Sequence, residues 1–117
     1  MPFIYLEHTD NIYTTDLEDL FKSIQDILKK LADVKSINCK SSSVQFKNYY
    51  TESNSGFVHV EINILEGRTT EIKKQIGEET LKLLKAYFIR NIDSAATQYS
   101  VEIREMKSMD YFTSNSL

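Results

Sequence analysis

The chain is poor in cysteine, proline and glycine, with one Cys, one Pro and three Gly among 117 residues. Its lone cysteine, Cys39, cannot form an internal disulfide, which is typical of proteins from a reducing compartment. The scarcity of Pro and Gly, together with a hydrophobic fraction of 41%, argues against a disordered chain. We therefore expect residues 1–117 to form a single folded domain.

The sequence also lacks an excess of positive charge. It has 14 Lys and Arg residues against 17 Asp and Glu residues, a net charge of −3 and a pI near 5.4. Nucleic acids and anionic membranes attract basic surfaces, so neither is expected as a partner. No apolar run approaches the roughly 20 residues of a membrane span, and the N-terminus has no charged segment followed by a hydrophobic one. We therefore expect a cytoplasmic protein.

The first half of the chain follows the pattern strand, helix, strand. Residues 2–8 are rich in aromatic and β-branched side chains and precede a polar turn, which predicts a strand. The segment from Thr15 to Glu18 has the form of a helix capping box. It opens a predicted helix whose apolar stripe consists of Leu17, Leu20, Phe21, Ile24, Ile27, Leu28 and Leu31. A Ser-rich strand is predicted over residues 37–49.

The second half repeats this pattern. Residues 57–65 alternate between apolar and polar side chains, so one face of this strand should meet helices. We expect this strand to form a hairpin with the preceding one across a turn at residues 51–56. A second helix is predicted over about residues 70–90, and its interior Gly77 indicates close packing, because glycine costs about 1 kcal/mol relative to alanine there. A last strand at residues 99–105 precedes a polar tail.

The duplicated β-α-β pattern predicts an α+β fold. Each half should pair two parallel strands across a helix, which gives a four-stranded mixed sheet with two helices on one face. The other face of this sheet has no further element to cover it. Oligomerisation is the economical way to cover that face.

Pro2 is the only proline of the chain and directly follows Met1. If Met1 is removed, Pro2 carries a secondary amine, which is strongly basic and is held in place by its ring. Burial and nearby cations disfavour the protonated amine and lower its pKa towards neutrality, so it could take a proton from one atom and return it to another. The alternative is that Pro2 merely opens an edge strand, where its missing N–H is harmless.

Several short segments together resemble the 5-carboxymethyl-2-hydroxymuconate isomerase family of the tautomerase superfamily. They are Met-Pro at the start, Glu7 with Thr9-Asp10-Asn11-Ile12, Phe57-Val58-His59-Val60 running into Gly67-Arg68-Thr69, Gln75-Ile76-Gly77-Glu78, and Leu83-Leu84-Lys85 with Phe88. The similarity spans nearly the whole chain apart from the turn at residues 49–56 and the tail. It implies a tautomerase-like homotrimer with an amino-terminal proline as general base.

The resemblance also implies an activity that needs no cofactor. It implies an isomerase that moves a proton in an unsaturated 2-hydroxy acid of aromatic catabolism, with Pro2 as the general acid–base. Arg68 matches a family arginine and would bind and stabilise the carboxylate substrate. Lys40 matches a second family arginine and Ser42 a further basic position, so the cationic lining would be thinner here. The alternative for Arg68 is a solvated turn residue.

The sequence also allows three alternatives to be weighed: a metal site at the histidines, a nucleophilic cysteine, and a protein without catalytic activity. His8 and His59 lie on different predicted strands without zinc-like spacing, so no metal is expected. Cys39 has no histidine near it in sequence, which favours a half-buried strand residue over a nucleophile. From another functional class, the alternative is a non-enzymatic trimeric binding protein that retains the fold.

Overall fold

The computed structural model describes residues 2–12, 14, 16–88 and 97–116. Its regular elements are β1 (Phe3–Thr9), α1 (Leu17–Ala32), β2 (Lys40–Phe46), β3 (Phe57–Leu65), α2 (Thr70–Tyr87) and β4 (Gln98–Met106). A short 3₁₀ turn at Ser36–Asn38 lies between α1 and β2, and two more follow β4, at Ser108–Asp110 and Ser114–Ser116. Each half of the chain is thus a β-α-β unit, as its sequence pattern predicts.

The four strands form one mixed sheet in the order β2-β1-β3-β4. Strand β1 is parallel to β2, β3 is parallel to β4, and the two central strands β1 and β3 are antiparallel. The predicted architecture is therefore confirmed. The predicted hairpin between the second and third strands is wrong, because β1 lies between β2 and β3. The Ser-rich β2 is mostly exposed and belongs at an edge, whereas β1 and β3 supply the buried centre.

The hydrophobic core lies between one face of the sheet and the two helices. Alternate residues of β1 and β3 point into it and are at most 1% exposed, namely Ile4, Leu6, Val58, Val60, Ile62 and Ile64. The helices contribute Leu20, Ile24, Leu28, Ile76, Leu84 and the following Phe88. Burying a side chain of this size stabilises the fold by about 1.5–3 kcal/mol, so this layer holds the helices on the sheet.

The helix ends differ in part from the predicted ones. The proposed cap Thr15 lies outside the described residues, and α1 begins at Leu17 after Asp16, whose backbone is left-handed with φ 58°. Helix α2 begins after Thr69, whose hydroxyl accepts a hydrogen bond from the Ile72 N–H at 3.2 Å. It ends at Tyr87, and the predicted extension through residues 89–90 lies outside the described residues.

Gly77 is not forced by close packing, contrary to the expectation from sequence. A Cβ atom built at this position would meet Ile103 Cγ1 at 4.0 Å, which is ordinary van der Waals contact. The glycine is half-buried in α2 without a neighbour that excludes a methyl group.

The sheet face opposite the helices is polar and partly open. Tyr5 is 40% exposed there, and the Arg104 side chain lies between the carboxylates of Glu61 and Glu102 at 3.3 and 3.1 Å. This outer face also carries His59, in register with Glu7 of β1. It is the face that the sequence predicts to need a partner.

Candidate active site

Pro2 is buried immediately before β1, at one end of the sheet. Its carbonyl oxygen accepts a hydrogen bond from the Lys40 backbone N–H at 3.1 Å, which joins it to the start of β2. Because β1 and β3 are antiparallel and Phe3 is in register with Asn63, the same end of the sheet also contains the end of β3. A proline is tolerated at this position because it has no ladder hydrogen bond to donate.

Arg68 lies at this end of the sheet, in the turn that joins β3 to α2. Its Nη1 donates to the Leu65 carbonyl at 3.2 Å and its Nη2 to the Ala32 carbonyl at 2.9 Å. Ala32 is the last residue of α1, where a cation is favoured by the unpaired carbonyls of a helix C-terminus. Arg68 is therefore half-buried and held in place, unlike the solvated turn residue of the alternative interpretation.

The guanidinium of Arg68 retains the capacity to bind an anion. A guanidinium has five N–H donors, and the two hydrogen bonds to backbone carbonyls engage one on each terminal nitrogen. The adjacent N-terminus of α2, an 18-residue helix, favours negative charge close to it. The turn thus places the positive charge of Arg68 beside the positive end of the α2 helix dipole, and both attract an anion.

Lys40 is the first residue of β2 and is exposed. Its Nζ lies 5.9 Å from the ring centroid of Phe3, a cation–π distance. Successive side chains of a strand point to opposite faces. Phe3 and its register partner Lys40 therefore lie on the outer face, whereas Pro2 precedes Phe3 and lies on the helix-covered side. The nitrogen of Pro2 is a backbone atom at the strand end, next to both faces.

The segment after β4 also reaches this end of the sheet, which the sequence did not predict. The Ser108 N–H donates to the Glu66 carboxylate at 2.7 Å, and the Glu66 N–H donates to the Met106 carbonyl at 2.9 Å. Tyr111 then meets Phe3 edge-on, with ring centroids 6.4 Å apart and an interplanar angle of 75°. The polar composition of the tail carried no periodicity from which this contact could be found.

Each of the two histidines has a hydrogen-bond partner, and the two side chains lie on opposite faces of the sheet. His8 is buried, and its Nδ1 is 2.8 Å from the Thr9 carbonyl, while His59 Nδ1 is 2.6 Å from Ser100 Oγ on the outer face. Within the described ranges, no three His, Cys, Asp or Glu side chains are grouped so that they could hold a metal ion. Cys39 is half-buried, and burial raises the pKa of its thiol.

A cavity of about 500 Å³ lies at the opposite end of the sheet. It is lined by residues of the loop that precedes β3 and by the first residues of β3 and β4, namely Thr51, Glu52, Ser53, Ser55, Gly56, Phe57, Gln98, Tyr99 and Ser100. Neither Pro2, Lys40 nor Arg68 lines it. The structure therefore brings Pro2, Arg68 and the Lys40 backbone together at one end and leaves this cavity at the other.

The architecture is the tautomerase-like fold that the sequence predicts, and solved structures share it. The crystal structure of a 5-carboxymethyl-2-hydroxymuconate isomerase from Deinococcus radiodurans R1 is similar, with a TM-score of 0.82 and 23% identity over 96% of this chain and 87% of that chain. A fused 4-OT symmetric trimer gives a TM-score of 0.77 with 14% identity over 98% and 94%. A macrophage migration inhibitory factor-like protein from Entamoeba histolytica gives 0.72 with 12% identity over 96% and 94%.

The sequence narrows this class to one family. The model of the 5-carboxymethyl-2-hydroxymuconate isomerase family matches residues 2–117, and the chain belongs to that family. The protein is accordingly an enzyme of the isomerase class, and the resemblance noted in its sequence is confirmed. A comparison with curated protein sequences gave no match. In the described part of the chain, no helix combines the length and the apolar character that crossing a membrane requires.

Proposed function

We propose that this isomerase moves a proton within an unsaturated 2-hydroxy acid of aromatic catabolism, with the Pro2 amine as general acid–base after removal of Met1. The observation that carries the proposal is the hydrogen bond from the Lys40 N–H to the Pro2 carbonyl. It fixes the only proline of the chain at the sheet end that also holds the Arg68 guanidinium.

The proposed reaction is a proton transfer that balances without a cofactor. The neutral Pro2 nitrogen accepts the proton of the substrate hydroxyl, so an O–H bond breaks and an N–H bond forms. The enolate electrons form a C=O bond, the conjugated double bonds shift, and the distant carbon takes the proton back from nitrogen. The dienol thus becomes the isomeric enone, and the amine returns to its neutral state.

Two cations support the negative charge of the substrate and of its dienolate. Arg68 offers N–H donors beyond those bound to backbone carbonyls, and its position is fixed before substrate arrives. Lys40 supplies a second positive charge beside Phe3, as a point charge without the planar fork of arginine. Both cations and the burial of Pro2 favour the neutral form of its amine.

The proposal includes a homotrimer with sites between subunits. The partly open outer face, with Tyr5 and the Arg104 ion pairs, is a surface that neighbouring copies would cover. The similar fused 4-OT protein is itself a symmetric trimer. Sedimentation equilibrium of the full chain tests this part, because a monomer at micromolar concentration would contradict it.

The decisive experiment compares wild type with Pro2→Ala in an ultraviolet assay of ketonisation, using simple 2-hydroxydienoates and phenylenolpyruvate. Alanine is also small enough for Met1 removal, which mass spectrometry verifies in both proteins. Gln75→Ala, at an exposed position of α2, serves as the control. The proposal expects a loss of about 10²–10⁴-fold in kcat/KM for Pro2→Ala alone. Equal rates for all three proteins would remove Pro2 from the mechanism.

A further inference from the structure

The last turn of α1 and the segment that joins it to β2 bring positive charge to the Pro2 end of the sheet. Residues 29–40 contain four lysines and one aspartate, although the whole chain has a net charge of −3. The lysines are exposed, and they are Lys29, Lys30, Lys35 and Lys40. The first turn of α1, by contrast, is acidic. Helix α1 is therefore polarised along its length, with its basic end at the candidate site.

The basic end of α1 is in direct contact with Arg68. Its Nη2 donates to the carbonyl of Ala32, the last residue of the helix, at 2.9 Å. Lys29 and Lys30 precede Ala32 by two or three residues, and a helix rises 1.5 Å per residue, so their Cα atoms lie within about 5 Å of it along the axis. Lys35 follows Ala32 in the segment that leads to β2. The three lysines thus stand around the arginine that is proposed to bind the substrate anion.

These lysines carry charge that no carboxylate neutralises. In the part of the chain that the structure describes, Lys29, Lys30 and Lys35 form no ion pair. Three other lysines do form one, namely Lys22, Lys73 and Lys74. The carbonyls at the end of a helix favour lysine there, which is an alternative role for the first two. That role does not apply to Lys35, which lies beyond the helix.

We propose that Lys29, Lys30 and Lys35 form a capture surface that draws the anionic substrate to the Pro2 end of a net acidic protein. The inference rests on the proposed function, to which it adds a step that precedes contact with Arg68. Charges of one sign around a site raise the local concentration of a ligand of the opposite sign and its rate of association. The lysines do not touch the reacting atoms, so kcat is independent of them.

The kinetic test compares Lys29→Gln/Lys30→Gln with wild type on phenylenolpyruvate at two ionic strengths. The Debye length is about 30 Å at about 0.01 M and about 3 Å at about 1 M, so salt screens the lysines from the substrate only in the second case. The variant should lose about 2–5-fold in kcat/KM at low salt, equal wild type at high salt and keep the wild-type kcat throughout. Adding Lys35→Gln should increase the loss at low salt alone.

Lys82→Gln/Lys85→Gln is the matched control. Both lysines are exposed near the C-terminal end of α2, which begins at the Pro2 end of the sheet and runs to the opposite end. The control therefore removes the same charge from the end of a helix, away from Arg68, and should keep the wild-type kcat/KM at both ionic strengths. Equal losses in the two variants, a lower kcat, or a loss that persists at high salt would overturn the capture surface.

Equilibrium binding separates this inference from the proposed function. Muconate is a conjugated dianion without a hydroxyl group, so it cannot ketonise. Coulomb energy is proportional to ligand charge, so its Kd should rise about 4–20-fold in Lys29→Gln/Lys30→Gln at low salt and not at high salt. An unchanged Kd at low salt overturns the capture surface even where Pro2→Ala abolishes turnover. Conversely, full turnover in Pro2→Ala overturns the mechanism, while the muconate result decides on the capture surface by itself.

Discussion

Replacing Arg68 by alanine should damage both stability and catalysis, by amounts that the structure allows to be separated. The guanidinium donates to the carbonyls of Leu65 and Ala32 at 3.2 and 2.9 Å, tying the end of β3 to the end of α1. Hydrogen bonds from a charged donor contribute about 1.5–3 kcal/mol each when buried, and Arg68 is only half-buried. A total loss of about 2 kcal/mol follows, or a fall in Tm of about 6–10 °C.

In Arg68→Ala, the loss of transition-state stabilisation should be larger than the loss of folding stability. Removing one positioned donor to a developing oxyanion lowers kcat by about 10²–10³-fold. At 25 °C the variant should remain folded, since a domain of this size has about 5–15 kcal/mol of stability. Circular dichroism establishes the folded fraction, and the ultraviolet ketonisation assay is then run on the folded protein.

Arg68→Lys distinguishes the two roles of this side chain. A lysine keeps the positive charge near the α1 C-terminus, but its single ammonium nitrogen lacks the two separate terminal nitrogens with which Arg68 reaches both carbonyls, and it lacks the planar fork that pairs with a carboxylate. We expect it to recover much of the stability and little of the activity. If Arg68→Ala lost about 2 kcal/mol of stability yet kept wild-type kcat/KM, the arginine would be a helix-capping residue only.

Three further outcomes concern residues away from the proposed chemistry. Because burial raises the pKa of the Cys39 thiol, a disulfide reagent at pH 7 should modify native protein slowly and unfolded protein rapidly; equal rates would contradict this. The hydrogen bond from Lys73 at 2.9 Å lowers the pKa of Glu105, so this pair stabilises the fold above the ordinary carboxyl range and ceases to do so as pH falls through the lowered pKa. Urea unfolding should therefore show Glu105→Gln less stable than wild type at pH 7 and equal to it in strong acid. Gly77→Ala should stabilise the protein by about 0.5–1 kcal/mol, whereas Gly56→Ala should destabilise it by about 1–3 kcal/mol. The reason is that a Cβ on Gly56 would lie 2.8 Å from two side-chain oxygens. Thermal unfolding tests this order, and Gly56→Ala unfolding at a higher temperature than Gly77→Ala would contradict it.

Much of the fold was predictable from local patterns because the central strands and both helices have periodic apolar side chains that mark their buried faces. The alternation in β3 correctly assigned Val58 and His59 to opposite faces. Alternation does not, however, say which strands are neighbours, and two strands adjacent in sequence were wrongly paired as a hairpin. The order β2-β1-β3-β4 depends on which strands can be buried on their core face along their whole length, and that is a property of all four strands together.

The sequence indicates candidate site residues only where chemistry and chain position coincide. Pro2 is singled out because it is the lone proline next to Met1, and Arg68 because it matches a family motif. The bond from Arg68 to the Ala32 carbonyl joins residues far apart in sequence, so no local pattern contains it. The same holds for Tyr111 on Phe3, since the tail has no periodic apolar face.

The duplicated fold offers two equivalent positions for a base, and only chain connectivity distinguishes them. In the first half, the Lys40 N–H donates to the Pro2 carbonyl at 3.1 Å; in the second, the Gln98 N–H donates to the Gly56 carbonyl at the same distance. Pro2 and Gly56 thus precede the first strand of their units in the same register. The nitrogen of Gly56 is an amide, because Ser55 precedes it, whereas that of Pro2 becomes an amine once Met1 is removed. The backbone therefore forms the same position at Pro2 and at Gly56, and removal of Met1 would make the nitrogen basic at Pro2 alone.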